Sequence, residues 1–314
     1  MSKKFELFFL LALTFVGATR ADNEIKVGGF VDAQWGWTRS GGVALLNSFY
    51  LNEGALYLNG SLGSADAMLD IPFVAKSALA NALTLGQTKA QAWVGYRYAN
   101  GFHYKIGQFD SIYGSEGKDT VLIPFTQHSM LLTKGFLPWT QTGLILGYQV
   151  DKDWSLDAVI ANPNGMSHMS AGNPDFGIKL GGEFKEAGVE EISVGFRAGR
   201  TVPGNFKPWM VSAILGLHFG DLDLRGDGFI KKTGIPGDKV SMGLGGYALY
   251  ALSSKISYGL RLVLVSKSTE KLEFTTGPQF QVHKNIVTKL DYTFANNVAK
   301  VKSHGVAAAA LYKF

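Results

Sequence analysis

The chain has 314 residues and carries 30 Lys and Arg against 25 Asp and Glu, a formal net charge of +5. A basic excess this small does not indicate a nucleic-acid partner. Cysteine is absent from the sequence, which excludes disulfides, thiolate zinc sites and thiol nucleophiles. With 39 glycines, 21 phenylalanines and 12 tyrosines, the composition favours many strands bearing aromatic residues.

The first predicted element is an export signal. Lys3 and Lys4 form a basic start, residues 5–17 are apolar apart from two positions, and Ala21 closes a small-x-small cleavage site. This order is typical of a secretory signal peptide. As an anchoring helix the apolar run is too short, because it must cross roughly 30 Å of hydrocarbon. We therefore expect residues 1–21 to be removed and residues 22–314 to form one exported domain.

The rest of the chain shows period-two alternation, in which apolar residues alternate with small or charged ones. In residues 176–181, for example, Phe, Ile and Leu alternate with Gly, Lys and Gly. Helices would require a period of 3.6, which these windows lack. The pattern predicts sixteen strands, near residues 25–38, 48–61, 65–74, 88–98, 102–109, 140–150, 154–162, 176–184, 192–200, 209–219, 222–231, 240–252, 256–265, 272–282, 286–296 and 303–314.

The joins between these strands are of two kinds. Tight turns, as at 99–101, 151–153 and 283–285, alternate with longer joins. The longer joins are expected at 39–47, 75–87, 163–175, 201–208 and 232–239. Such alternation is typical of an outer-membrane barrel with short periplasmic turns and longer external loops. The predicted fold class is therefore all-β, an up-and-down antiparallel transmembrane β-barrel of about sixteen strands.

The last strand ends on an aromatic pair, Tyr312 and Phe314. A terminal Tyr-x-Phe resembles the signature by which the barrel-assembly machinery recognises outer-membrane proteins. Ala309 stands where that signature usually has glycine. We expect outer-membrane lipid and lipopolysaccharide to surround the barrel, and its assembly machinery to be a partner.

If the apolar residues face lipid, the charged residues between them face the interior. The candidate lining residues are Asp32, Arg97, Lys105, Asp157, Lys179, Arg197, Arg225, Arg261 and Lys289. Both charge signs on one wall favour a hydrated interior, and sixteen strands are wide enough for an aqueous channel. The alternative is a plugged barrel whose charges pair internally.

The longest join, residues 110–139, is a candidate constriction. Its polar candidates are Glu116, Lys118, Asp119, His128 and Lys134. A loop this long in a compact array is usually functional. Folded inward, it would place its acidic residues opposite Arg97 and Lys105, whereas the alternative is a solvated external loop.

Residues 105–109, Lys-Ile-Gly-Gln-Phe, are followed by this long loop, then by Gly-Phe-Leu-Pro at 135–138 and Thr-Gly at 142–143. This arrangement, with Gly-Phe-Val-Asp-Ala at 29–33, resembles the OmpL-like β-barrel porin family over roughly residues 27–150. The resemblance implies a porin of Gram-negative bacteria that passes small hydrophilic solutes and ions by diffusion. A homotrimer is an open expectation, because the small residues Val306, Ala308 and Ala310 share one face of the last strand.

The sequence gives little support to the hypothesis that this protein is an enzyme. None of the 6 histidines lies near a Gly-x-Ser-x-Gly elbow or near another histidine at ligand spacing. We therefore predict no catalytic residue, no metal and no cofactor. A structural or surface-recognition barrel without an open pore remains the alternative function, and an outer-membrane lipase or protease is less favoured.

Overall fold

A computed structural model describes residues 24–72, 91–116, 122–133, 137–138, 140–162, 173–200, 207–234, 237, 239–266, 270–297 and 301–314. The predicted signal peptide, residues 1–21, lies outside the described residues. The same holds for three residues of the predicted constriction, Lys118, Asp119 and Lys134.

The described chain forms sixteen strands, one short α-helix and one 3-10 helix, Lys185–Ala187. The strands are β1 (Glu24–Ser40), β2 (Val43–Leu62), β3 (Ala65–Pro72), β4 (Gln91–Arg97), β5 (Phe102–Asp110), β6 (Thr140–Gln149), β7 (Trp154–Ala161), β8 (Asn173–Phe184), β9 (Val189–Arg200), β10 (Trp209–Phe219), β11 (Leu222–Lys232), β12 (Ser241–Ser253), β13 (Ile256–Ser266), β14 (Glu270–His283), β15 (Ile286–Asn297) and β16 (Lys302–Lys313). The helix, α1, spans Met130–Thr133 between β5 and β6. All sixteen predicted strands are confirmed.

The strands close into a single barrel in which each strand pairs with its neighbours in sequence and β1 pairs with β16. Every pairing is antiparallel, as in the β10–β11 hairpin, where Trp209 lies opposite Lys232. Closure leaves no strand edge, so every ladder finds its partners within the chain. The predicted fold class is confirmed.

Alternation gives the wall two different faces. On β8, Phe176, Ile178 and Leu180 are exposed on the outer surface, whereas Lys179 between them contacts Glu191 on the inner face. The same order recurs on β13, where Leu260, Leu262 and Leu264 are exposed and Arg261 is buried. An apolar outer surface of this extent is stable only against lipid.

The prediction of a long join at 39–47 is wrong. β1 continues to Ser40 and β2 begins at Val43, so Gly41 and Gly42 alone form the turn. Their φ angles are 56° and 89°, the left-handed region that two-residue hairpins require and that glycine adopts without strain. By the bounds of the strands that flank them, two other joins at this end, residues 111–139 and 233–240, are longer than the turns at the opposite end, such as Gly220–Asp221.

Among the described residues, no helix has both the length and the apolar character needed to cross a bilayer.

Candidate channel and its inward loop

The described parts of the connection between β5 and β6, residues 111–116, 122–133 and 137–138 (the inward loop), lie inside the barrel. Its apolar side chains Tyr113, Met130, Leu131, Leu132 and Leu137 are buried. They form one cluster with inner-face residues of β10, β11 and β13, namely Met210, Phe229, Val263 and Val265. The core of this protein is therefore the contact between loop and wall, rather than a centre filled from all sides.

Glycines of the wall make room for this loop. A Cβ atom at Gly245 on β12 would lie 2.7 Å from a methyl carbon of Leu131, and one at Gly195 on β9 would lie 2.8 Å from the ring of Tyr113. At Gly177 on β8 a Cβ atom would overlap the Tyr113 hydroxyl. Since real Cβ atoms do not approach this closely, the loop fits only where the wall lacks side chains.

Arg261 on β13 is the centre of the first polar anchor. Its guanidinium donates to the backbone oxygen of Gln127 at 2.8 Å and pairs with Glu273 at 3.0 Å. It also lies 3.7 Å from the Glu116 carboxylate and 4.6 Å from the ring centroid of Phe125. A buried arginine thus holds three separate parts of the loop against the wall.

Glu116 and His128 complete this anchor from the loop side. Glu116 accepts a hydrogen bond from the Ser129 backbone N–H at 2.7 Å and a second, short one from the Ser129 hydroxyl. His128 lies between two carboxylates, with Nδ1 3.4 Å from Glu116 and Nε2 3.6 Å from Glu53 on β2. The anchor therefore joins β2 and β13 through the loop.

Charge balance in this cluster sets two pKa values. Burial alone would lower the pKa of His128, but the carboxylates of Glu116 and Glu53 outweigh it and hold the pKa above the ordinary histidine value. Burial alone would raise the pKa of Glu116, but His128, Arg261 and Ser129 outweigh it and hold the pKa below the ordinary glutamate value. The surroundings of each group therefore favour its charged form.

A second anchor ties the loop to β15 and β1. The Lys289 ammonium donates to the backbone oxygens of Ile123 at 2.6 Å and Phe125 at 3.1 Å. The Thr126 N–H donates to Asp291 at 2.5 Å, and the Gln34 amide donates to the Thr126 oxygen at 2.6 Å. The wall therefore satisfies the backbone oxygens of Ile123, Phe125 and Thr126 and the backbone N–H of Thr126.

A third anchor lies on β11. Asp227 accepts hydrogen bonds from the backbone N–H of Ser115 at 2.8 Å and from its hydroxyl at 2.6 Å. The hydroxyl of Tyr113 in the loop donates to the backbone oxygen of Phe196 on β9 at 3.5 Å. Burial raises the pKa of this tyrosine to about 12. The loop is thus held along β8 to β13, and again at β15, β1 and β2.

The expectation that Glu116 faces Arg97 and Lys105 is wrong, since Glu116 is buried against Arg261. Lys105 instead lies with its ammonium 4.0 Å from the Trp93 ring centroid, and Arg97 is exposed at the end of β4. These two cations lie on strands that carry none of the three anchors.

The other candidate lining residues pair along the inner face. Asp157 meets His103 at 3.1 Å, Lys179 meets Glu191 at 2.9 Å, and Arg225 meets Glu190 at 3.1 Å. Arg197 forms a close ion pair with Asp175. Asp32 accepts hydrogen bonds from Gln34 at 2.8 Å and from Asn52 at 2.9 Å. The ion pairs of Lys179 and Arg197 therefore join adjacent strands, whereas those of Asp157 and Arg225 reach across one intervening strand.

Several residues of the anchors were not predicted from the sequence. Gln34, Glu53, Tyr113, Ser115 and Ser129 were not candidates, yet each contacts the loop or belongs to it. Glu53 turns inward after a register shift between Asp32 and Ala33, which simple alternation does not reveal. The available signal was the set of glycines at inward positions of β8, β9 and β12.

One cluster in the described part of the chain has the spacing of metal ligands. Glu190, His218 and Asp223 each offer one atom, and these atoms lie within 4.8 Å of one another. Arg225 already pairs with Glu190, and His218 bonds closely to Asp223. We therefore describe this cluster as an ion-pair network of β9, β10 and β11.

A closed barrel of sixteen antiparallel strands, apolar outside, charged inside and holding a long internal loop, defines the class of outer-membrane porins. Residues 24–308 match the family described as "Putative beta-barrel porin-2, OmpL-like". The chain belongs to this family, and its resemblance predicted from residues 27–150 extends over most of the sequence.

Solved structures share the fold at low sequence identity. An anion-selective porin from Comamonas acidovorans is 14% identical, with a TM-score of 0.69 over 93% of this chain and 100% of that one. OmpF of Salmonella typhi, in complex with daunomycin, is 12% identical, with a TM-score of 0.71 over 93% of this chain and 98% of that one. The outer membrane channel DcaP of Acinetobacter baumannii is 12% identical, with a TM-score of 0.65 over 94% and 99%. No curated protein sequence matches this chain.

Proposed function

We propose that this chain forms a water-filled channel for passive diffusion of small hydrophilic solutes and ions across the outer membrane. The observation that carries the proposal is the position of the inward loop, whose hydrogen bonds and ion pairs to the wall lie on β9, β11, β13, β15, β1 and β2. Tyr113 of the loop also lies over Gly177 on β8. By contrast, Arg97, Lys105 and Asp157 lie on β4 to β7.

The passage then runs between the inward loop and the wall from β4 to β7. Residues 110–139 act as its constriction, and Lys118, Asp119 and Lys134 are candidate charged residues of that constriction. Paired carboxylates and cations on a wall are stable in contact with water and costly in hydrocarbon, which supports a hydrated lumen. Two proteins of the same fold are described as an anion-selective porin and an outer membrane channel, which is consistent with this proposal.

Planar bilayer recordings test the proposal directly. The folded barrel should give stable stepwise conductance, and removal of residues 115–133 should raise the size of each step because the constriction is gone. Silence from a heat-modifiable, correctly folded barrel would instead favour a structural or surface-recognition role without an open pore.

Substitution Lys105→Glu tests which wall bounds the passage. The change moves local charge by two units, and each unit contributes about 1 kcal/mol at 4 Å in water. The ratio of cation to anion permeability, measured as a reversal potential in a salt gradient, should rise several-fold. Lys152→Glu is the matched control, because Lys152 lies in an exposed turn and its substitution should leave the ratio unchanged. Equal effects of the two substitutions would place the passage elsewhere.

Export and assembly form part of the same proposal. Residues 1–21 act as a signal peptide, and Tyr312 and Phe314 are read by the barrel-assembly machinery. Phe314 exchanges two backbone hydrogen bonds with Gly29, at 3.0 and 3.1 Å, so the recognised residues also lie at the seam of the barrel. Lipopolysaccharide surrounds the external end.

The small residues Val306, Ala308 and Ala310 beside this seam form the contact of a homotrimer, which cross-linking in detergent would detect.

A further inference from the structure

A cavity of about 230 Å³ lies beneath the inward loop, at the end of the barrel where the turns are tight. Its walls come from the adjoining ends of β13, β14, β15 and β16, and Ile123 of the loop closes it from above. The side chains that matter for its chemistry are Ser257, Gln279, Gln281, Lys255, Lys289 and Lys313. This cavity lies apart from the proposed passage along β4 to β7.

The charge of the cavity is entirely positive. Three lysines line it, and no carboxylate does so among the described residues. The acidic groups whose charge acts on Lys289 include Asp32, Asp291 and Glu53, and none of them lines the cavity. Asp32 accepts a hydrogen bond from Gln34, and Asp291 accepts one from the Thr126 N–H. Three cations that share one recess repel each other, and an anion between them relieves that repulsion.

Gln279 adds a second, independent feature. Its Nε2 amide nitrogen is buried and has no hydrogen-bond partner in the described part of the chain. Gln279 pairs across the sheet with Lys289 on one side and with Ser257 on the other, so a hydroxyl and an ammonium flank it. A buried donor without an acceptor is unfavourable, and a ligand that only accepts hydrogen bonds would satisfy it.

We propose that this cavity is a binding site for a small oxyanion, a carboxylate or phosphate group held by Lys255, Lys313 and the Gln279 amide, while Lys289, whose ammonium already donates to the Ile123 and Phe125 oxygens, adds its charge. The volume corresponds to that of about eight liquid waters, which suits one small anion with part of its hydration shell. An oligosaccharide or a nucleotide is too large. The proposal needs only the folded barrel, so it stands or falls independently of conductance.

The test is calorimetric titration of the folded full-length barrel in detergent at low ionic strength, with inorganic phosphate in one arm and succinate in the other. Saturable binding in either arm, weakened by added sodium chloride, supports the site, and the tighter arm identifies the preferred oxyanion. Absence of saturable binding in both arms overturns the proposal. Glycerol serves as a neutral solute that should not bind.

Two sets of variants separate the cavity from general surface charge. Lys255→Gln with Lys313→Gln should weaken binding about tenfold or more, because two charge-assisted contacts are lost. Lys152→Gln with Lys185→Gln removes the same charge from exposed turns at the same end, with side chains 78% and 80% exposed, and should change binding less than twofold. Equal weakening by both pairs would reject the site.

Gln279→Glu provides a conservative check on the amide. The substitution keeps the shape of the side chain and places a carboxylate beside Lys289, so it should abolish anion binding while the heat-modifiable mobility of the barrel is retained. Undiminished binding in this variant would show that the anion does not contact position 279.

Discussion

Replacing Arg261 with methionine should release the inward loop while the barrel stays folded. Methionine fills most of the side-chain volume but cannot pair with Glu116 and Glu273 or donate to the Gln127 oxygen. Breaking a buried ion pair by removing one partner costs about 3–5 kcal/mol, because the remaining carboxylates stay buried without compensation. The contact with the Phe125 ring adds about 1 kcal/mol.

The total loss of about 4–6 kcal/mol corresponds to an increase in the open population of the loop on the order of a thousand- to tens-of-thousands-fold. Hydrogen exchange of amides in residues 122–133, followed by mass spectrometry, measures this population. Limited proteolysis of the folded barrel should show new cleavage in the same segment, and conductance should become noisy.

Arg225→Met is the matched control. Arg225 also pairs with a glutamate on the inner wall, Glu190, but both side chains are partly exposed and the pair does not touch the loop. Exposed pairs contribute up to about 1 kcal/mol, so loop protection should stay close to that of the original protein. Identical exchange in the two variants would refute the assignment of Arg261 as the anchor.

Two further substitutions probe the same contact by different means. Because the pKa of His128 is raised, the stabilisation it provides is complete below the ordinary histidine value of about 6.5 and is lost as pH rises through the raised pKa. Loop exchange should therefore increase with rising pH, and His128→Gln should remove this dependence; a pH profile unchanged by the substitution would exclude this histidine. Gly245→Ala should destabilise loop docking by about 1–3 kcal/mol, because the new methyl group would lie 2.7 Å from Leu131. Gly181→Ala, whose nearest neighbour is 3.5 Å away, should have little effect in the same exchange measurement.

Much of the fold could be predicted because each strand carries its own alternation. A strand such as β13 shows apolar residues at every second position regardless of what lies far away in the sequence. The error at 39–47 arose because a Gly41–Gly42 turn was read as part of a longer polar segment, although a glycine pair is itself a hairpin signal. Alternation along the chain was therefore sufficient to predict the strands, because the pattern of a strand depends only on residues that are close in sequence.

The partners of the loop could not be obtained in this way. Arg261 contacts Gln127 across 134 residues of sequence, and nothing in either segment specifies the other. Glu116 was expected to face Arg97 and Lys105 from a functional loop. The strands against which that loop docks are decided by the shape of the wall. That shape comes from positions without side chains, where residue patterns of charge and hydropathy are uninformative.

In the proposed channel, the glycines on β8, β9 and β12 determine how closely the inward loop packs against the wall, and so how wide the passage is. A larger residue at one of them displaces the loop toward the open side, and a further glycine lets the loop recede, so the free cross-section responds to substitutions that never touch the permeating solute. Transferring the loop sequence alone into another sixteen-stranded barrel would therefore fail to transfer its filter. The recess in the receiving wall must be moved with it.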